Sequence, residues 1–314
     1  MKKSDEKRPY TGKVSLLTAI PNVSEGRSNE RIAELGEAVG GEAGGRLLDV
    51  SADADHHRTV FTTFGDPAAL EAGVLAMSEL ALRRLDLRHH AGAHPRLGII
   101  DVVPFVAYGD ASMDLAIGAA LATAERLGTE LRVPVFLYGA ASRRSARRRP
   151  ITLRRLDLDA VASAIATGEL VPDFGPHNVD EGVGVTLVGA RPQMVAFNVQ
   201  LASTDLGVAQ RIASRVRESS GGLRGVQALG FFLERRGLSQ VSMNVFAPFD
   251  FTLHDVLARV TREAESHGVA ISDVEIVGFA PEAALCDGAG RVSLLAGVDE
   301  RQVLETAIAA RAGG

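Results

Sequence analysis

Residues 58–82 read RTVFTTFGDPAALEAGVLAMSELAL: a β-branched and aromatic run, an Asp-Pro pair, then an amphipathic repeat. The run from Thr59 to Phe64 has the composition of a strand. Asp66 suits an N-cap, and Pro67 suits the first helical turn, where a missing N–H leaves no bond unmade. Beyond them Leu70, Val74, Met77 and Ala81 recur at helical spacing on one side. Working outward, Val14–Val23 reads as a strand, Ile32, Leu35 and Val39 share a helical face, and Leu47–Val50 is a short strand. Ile99–Val106 closes the set as another strand. The order is β-α-β-β-α-β, the ferredoxin-like motif. A helix over Ser112–Leu127, the strand VPVFLYG and a helix over Asp157–Thr167 extend this half.

The second half repeats the order without evident sequence identity. Val195, Phe197, Val199 and Leu201 alternate as a strand, and Thr204 is placed to cap a helix carrying Val208, Ile212 and Val216. Strands follow over Val226–Glu234 and Gln240–Phe246, Thr252 and Asp255 form a capping box, and Val274–Phe279 closes the unit. The expected architecture is α+β, with two ferredoxin-like subdomains spanning residues 12–190 and 191–314. Asn198 and Gln200 oppose Phe197 and Val199, while Ser242 and Asn244 oppose Val241, Met243 and Val245. Antiparallel sheets covered by helices on one side can keep the other side wet. Two such faces turned toward each other would enclose a polar cleft; the alternative is that they face bulk solvent.

With 46% apolar residues the chain can build real cores, and no apolar run reaches the roughly 20 residues of a membrane span. The start MKKSDEKRPYTGK lacks the apolar segment of a signal peptide, and a single cysteine, Cys286, fits a reducing compartment. These features lead us to expect a soluble cytoplasmic protein. A net charge of −5 and the absence of tryptophan argue against a nucleic-acid partner.

The densest chemistry is HHAGAHPRLGIIDVVPF, residues 89–105. Pro95 restricts His94 to extended backbone, Arg96 offers a planar fork for a carboxylate, and Asp101 is placed to orient or charge-balance the ring. A base, an anion clamp and a carboxylate so close together suggest acyl-type transfer with an anionic substrate. Five of the eight histidines lie at positions 56, 57, 89, 90 and 94, with Asp53 and Asp55 nearby. This composition also fits a divalent metal, although the spacing matches no standard zinc motif and adjacent strand residues point apart. His56 and His89 read as surface imidazoles. Arg58 is placed to pair with Asp53, with Asp55 or with a substrate carboxylate. Residues 173–191, DFGPHNVDEGVGVTLVGAR, read as a loop whose four glycines let backbone approach a flat ligand. SRRSARRRP, residues 142–150, reads as a solvated basic face, with attraction of a polyanionic tail as the other option.

An ordered set of segments resembles the glutamate formimidoyltransferases, including the amino-terminal part of formimidoyltransferase-cyclodeaminase. They are IPNVSEGR, LLDV, HRTV, HPRLGIIDVVPF, VPVFLYG, VPDFGP, VGAR and AFNVQL, with thinner similarity through VQALGFFLERRGLSQVSMNV. The resemblance implies transfer of a formimidoyl group from N-formimino-L-glutamate to N5 of tetrahydrofolate, in a homodimer whose paired subdomains enclose a folate tunnel, with no metal required. It makes His94 the catalytic histidine and Gly175, Pro176 and Gly184 folate-binding; His177 and Asn178 lie in the same stretch and are folate-binding candidates, although residues 177–183 depart from the animal enzymes. Chemistry assigns Asp101 beside His94, and Arg58 and Arg96 to the glutamate carboxylates; Asn22, Glu25 and Asn198 are candidates to anchor substrate. Ala93 and His57 depart from the glutamate and asparagine common in the family. The competing expectations are a metal-dependent hydrolase, a folate-binding homologue without turnover, and a formyl-transferring variant.

Overall fold

The computed structural model describes residues 16–41, 46–92, 96–142, 156–247, 249–286 and 291–312. In the first unit the strand that opens the chain is two pieces, β1 (Leu17–Ala19) and β2 (Asn22–Val23). Both occupy one lane between β4 (Arg58–Gly65) and β5 (Ile100–Ala107). Pro21, which has no N–H to donate, falls at the break, and its carbonyl accepts from Phe61 N instead. β3 (Arg46–Asp53) pairs with the outer edge of β4. The core order is therefore β5, β1/β2, β4, β3.

Two strands extend that core. β7 (Thr186–Ala190) runs parallel to β5, and β6 (Val135–Gly139) runs parallel to β7. The glycine-rich stretch expected to be a loop throughout thus ends in a fully buried strand. Its apolar Thr186–Ala190 segment is short, and without a period it resembled the loop before it. Helices α1 (Asn29–Gly40), α2 (Pro67–Arg84) and α3 (Met113–Thr129) cover one face of the sheet over Leu17, Phe61 and Phe105. Asp66 caps α2 as expected, accepting from Ala68 N and Ala69 N. On the opposite face α4 (Leu158–Ala166) lays Val161 and Ile165 on Phe136, Tyr138 and Leu187.

The second unit is the bare motif. β8 (Met194–Leu201), β9 (Val226–Leu233), β10 (Leu238–Phe246) and β11 (Ile271–Val277) form an antiparallel sheet in the order β11-β8-β10-β9. α5 (Leu206–Val216) and α6 (Leu253–Ser266) bury one face of it. Asp205, not Thr204, caps α5, accepting from Gly207 N. Carboxylate and hydroxyl are both good caps, and the carboxylate one place later is the one whose reach fits. The capping box of Thr252 and Asp255 is present in both directions. After β11 come a short helix α7 (Glu282–Leu285) and α8 (Leu304–Ala312). α8 returns to the first unit, where Leu304 and Ile308 pack on Phe64 and Arg311 donates to Leu47 O.

The free face of the second sheet is not open to solvent. Asn198 is 5% exposed, Gln200 2% and Gln240 0%, because the first unit covers them. The polar face of the second sheet thus turns inward, and a groove of about 570 Å³ remains between β3 and β11, lined in part by Asp49, Ser51, Arg236, Asp273, Glu275 and Gln302.

Candidate functional site

The site residues gather where β2 ends, where β5 and β7 begin, and at the β3–β4 turn. In that turn Asp53 Oδ1 accepts from Asp55 N at 2.8 Å and from His56 N at 2.7 Å, closing the chain on itself. His57 then sits at φ +49°, a left-handed conformation uncommon outside glycine and asparagine. The two histidines therefore diverge from a turn rather than from a strand. His56 is buried, a correction to the surface reading. Its ring edge meets Phe231 at a 5.4 Å centroid distance, and its Nε2 lies 3.4 Å from Gln240 Nε2. Burial pushes its pKa down, Asp53 opposing, so it is the neutral ring that faces the amide. His89 is exposed, as expected.

His57 faces into its own unit. Its Nδ1 lies 3.1 Å from Ala91 O, its Nε2 3.4 Å from Glu25 Oε1, and its ring stacks on His90 at 4.0 Å and 9°. Burial, then the charge of Arg27, lowers the His57 pKa. Glu25 is fully committed within the chain: Oε1 accepts from Arg27 N and Ser28 N, and Oε2 pairs with Arg31 at 3.2 Å. Burial alone would raise its pKa, but those donors and the nearby His57 outweigh it and hold the carboxyl below its ordinary range. Glu25 thus anchors the start of α1 as well as His57.

His94 lies outside the described residues, with Ala93 and Pro95. Its flanks are tightly held. Ala91 O accepts from Arg27 Nη2 at 2.8 Å as well as facing His57. Gly92 lies where any Cβ would collide with His56 O. On the far side Arg96 Nη2 donates to His90 O at 2.6 Å, and Leu97 N donates to Asp101 Oδ1 at 2.9 Å. Asp101 is 1% exposed, so its carboxylate organises the interior of this segment. Arg96 Nε is buried with no hydrogen-bond partner among the described residues. Burial lowers the Arg96 pKa, with Asp101 opposing. Ser24 ties β2 to the same segment through Gly98 O and Ile99 O.

The stretch from Asp173 to Gly184 runs to this segment. Asp173 Oδ2 accepts from Leu137 N, and Gly175, at φ +86°, packs on Val133 O and Gly128. Pro176 is half-buried, while His177 and Asn178 are exposed. Gly184, at φ +78°, lies against Leu97 O and bridges Gly98, so a side chain there would displace the strand start. Both glycines are required by close backbone approach. The arrangement brings together Glu25, Arg96, Asp101 and Gly184, with the flanks of His94. Asn22 is buried nearby, its Nδ2 donating to Ile20 O. Arg58 opens β4 opposite Asp53 in the ladder, and Asp53 pairs with Arg236.

Asn198 belongs to a separate network on the second sheet. Its Nδ2 donates to Glu275 Oε2 at 3.3 Å, and Glu275 also faces Arg236 at 3.8 Å. With its amide turned to satisfy both ends, Gln200 donates to Asp273 O at 2.8 Å and accepts from Arg236 Nη1 at 3.2 Å. Arg236 and the turn bond from Arg235 N to Asp55 Oδ1 clasp the two hairpin tips together. Sequence reading missed this clasp and the His57–His90 stack. The paired histidines were visible, but their partners lie 34 and 184 residues away. The basic run expected as a solvated face lies outside the described residues from residue 143 onward. Among the described residues, no three His, Cys, Asp or Glu side chains gather as a metal cluster.

Comparison with known proteins covers both units. Residues 16–191 match the family described as formiminotransferase domain, N-terminal subdomain, and residues 196–309 match the formiminotransferase domain. A formimidoyltransferase-cyclodeaminase of Rattus norvegicus is 38% identical over 281 residues, covering 87% of this chain and 52% of the relative. A glutamate formimidoyltransferase of Thermoplasma acidophilum is 34% identical over 294 residues, covering 93% of this chain and 97% of the relative. Another glutamate formimidoyltransferase, from Streptococcus pyogenes serotype M1, is 34% identical over 272 residues and is covered to 91%. The chain spans about half the length of the cyclodeaminase relative and nearly all of the archaeal one.

Proposed function

The chain belongs to the formiminotransferase family, and from that premise we propose that it transfers the formimidoyl group of N-formimino-L-glutamate to N5 of tetrahydrofolate, releasing glutamate. The observation that carries this reading is coverage of both units by the family together with near-complete coverage of a relative named glutamate formimidoyltransferase. The site chemistry agrees with it. N5 attacks the amidine carbon, forming a new C–N bond and losing its proton; the bond to the glutamate nitrogen then breaks as that nitrogen gains a proton. One histidine near neutrality serves both transfers, the role assigned to His94.

Arg96 and Arg58 are the cations assigned to the glutamate carboxylates. Arg96 supports this role best, because among the described residues it bonds only to a backbone carbonyl and its buried Nε has no partner. Asp101 fixes the backbone after Arg96. Residues 175–178 and Gly184 are assigned to the folate. Asn198 belongs to the opposite wall, while Asn22 and Glu25 hold the site's frame. No metal enters this scheme. On the same reading the enzyme is a cytoplasmic homodimer without nucleic-acid or membrane partners; no helix among the described residues is long and apolar enough to cross a membrane.

The test is direct. Purified protein is mixed with tetrahydrofolate and N-formimino-L-glutamate, and 5-formimidoyltetrahydrofolate and free glutamate are measured. Equal release of both supports the reading. Release of neither overturns it, and product only from N-formyl-L-glutamate reassigns the transferred group.

A further inference from the structure

We propose that His90 is a positioning residue for donor selection, aligning the Arg96 guanidinium to accept a donor carboxylate, with His57 holding His90 in place. This deepens the reading above and rests on it. The chain of contacts is continuous. Arg96 Nη2 donates to His90 O at 2.6 Å, so the placement of that carbonyl sets the direction of the guanidinium fork. The His90 ring, through Nε2, lies 2.6 Å from His57 O, and a carbonyl can only accept, so Nε2 carries the proton. The His57 ring returns a bond to Ala91 O, the next carbonyl along, and the two rings stack face to face. Gly92 lets the chain lie directly on the turn below, with a Cβ only 2.9 Å from that of His57 if one were present. The residues on both sides of the His90 carbonyl are thus locked by side chains of the same pair.

Charge supports the assignment. Burial holds the His90 pKa at about 4, so this ring is neutral in ordinary buffers and does not compete with Arg96 as a cation. The other cations of the cluster are engaged: Arg27 donates to Ala54 O and Ala91 O, and Arg31 pairs with Glu25. Among the described residues no carboxylate forms an ion pair with Arg96. Its buried Nε, without a partner among the described residues, is a donor that an incoming carboxylate would satisfy. By fixing the backbone on both sides of the His90 carbonyl, the ring pair makes the fork rigid before the donor arrives.

The experiment compares kcat/KM for N-formimino-L-glutamate with kcat/KM for its two mono-amides, in wild type, His90→Ala and His90→Gln. The ratio is independent of the fraction of enzyme that is folded. The wild type is expected to prefer the dicarboxylate by at least about tenfold. His90→Ala should lose most of that preference through KM, with kcat for the dicarboxylate within about threefold of wild type at saturation. His90→Gln should recover it, because its amide N–H reaches the same carbonyl. His90→Asn, too short to reach, should behave as alanine does and serves if the alanine variant is insoluble. An unchanged preference in both His90→Ala and His90→Asn overturns the proposal, as does an equal loss of kcat toward all three donors. Arg96→Gln separates the premises: if it keeps the preference while wild type is active, the carboxylate clamp is elsewhere, and if wild type transfers nothing the functional reading itself falls.

Discussion

In the first unit the lane order β5, β1/β2, β4, β3 continues into β7 and β6, whereas the second unit stops at the same four lanes, β11, β8, β10, β9. The additional parallel strands change what lies at the strand ends. The loop entering β7 must cross the segment that enters β5, and it does so through glycine contacts at Gly184 and Gly98. That crossing places the segment carrying Arg96 beside Glu25, His57 and Asp101. The second unit has no such crossing and presents a flat row of amides, Asn198, Gln200 and Gln240. One copy of the motif carries the segment with Arg96 and its histidines, and the other supplies a polar wall of amides tied to Glu275 and Arg236. The shared fold alone predicts neither role.

The largest expected effect breaks the symmetry outright. His94→Ala should lower turnover by about 10²–10⁴-fold with native circular dichroism, the range of a lost general acid–base group. Undiminished turnover in a folded variant would remove His94 from the scheme. Next comes a matched pair of glycines, both left-handed. Gly184→Ala should destabilise by about 2–4 kcal/mol, because strain is added to a collision with Leu97 O. Gly237→Ala, in the β9–β10 turn with open space around it, should cost only the strain of about 1–2 kcal/mol. Denaturant midpoints measure both, and equal losses would mean that the crossing is no tighter than a surface turn.

Much of this was legible in the chain. The strand–Asp-Pro–helix run gave the motif because its periods and caps are local, and the HPR segment stood out by composition. Whatever depends on partners distant in sequence was not legible. His56 read as surface because nothing local shows that a second sheet lies over it. β7 merged with its loop because a short strand buried on both faces has no alternation to announce it. Glu25 read as a substrate anchor, yet its oxygens face Arg27, Ser28, Arg31 and His57. Asp205 displaced Thr204 by one position, within the margin that cap chemistry leaves open.

Between the units, Gln240 is the test of the wall. It is fully buried against His56, so Gln240→Leu keeps the volume and leaves the imidazole Nε2 facing an apolar side chain. The expected loss is about 1–3 kcal/mol, seen as a lower Tm. A neutral result would show that the amide row is held by shape alone.

The smallest effect sharpens the comparison on the pH axis. The folded pKa of Glu25 lies below its ordinary value, so its contribution is complete above the ordinary carboxylate range and is lost as pH falls through the lowered value. His56, His57 and His90 are also held down, and their burial as neutral rings weakens the fold in acid over a higher window, from near pH 6.5 down to about 4 for His90. Acid unfolding of the wild type should therefore show two limbs, an upper one from the histidines and a lower one from Glu25. Glu25→Gln keeps an acceptor for Arg27 N and Ser28 N but cannot titrate, so it should flatten the lower limb; because the Glu25 charge helps hold the His57 pKa up, it should deepen the upper one slightly and not remove it. Its cost at pH 7 should be about 1 kcal/mol, since the charge-assisted bonds become neutral ones. Chemical denaturation at several pH values reads both limbs, and a lower limb that persists in the variant would place the acid-sensitive carboxylate elsewhere, at Asp86 or Asp299, whose arginine partners also hold their carboxyls down.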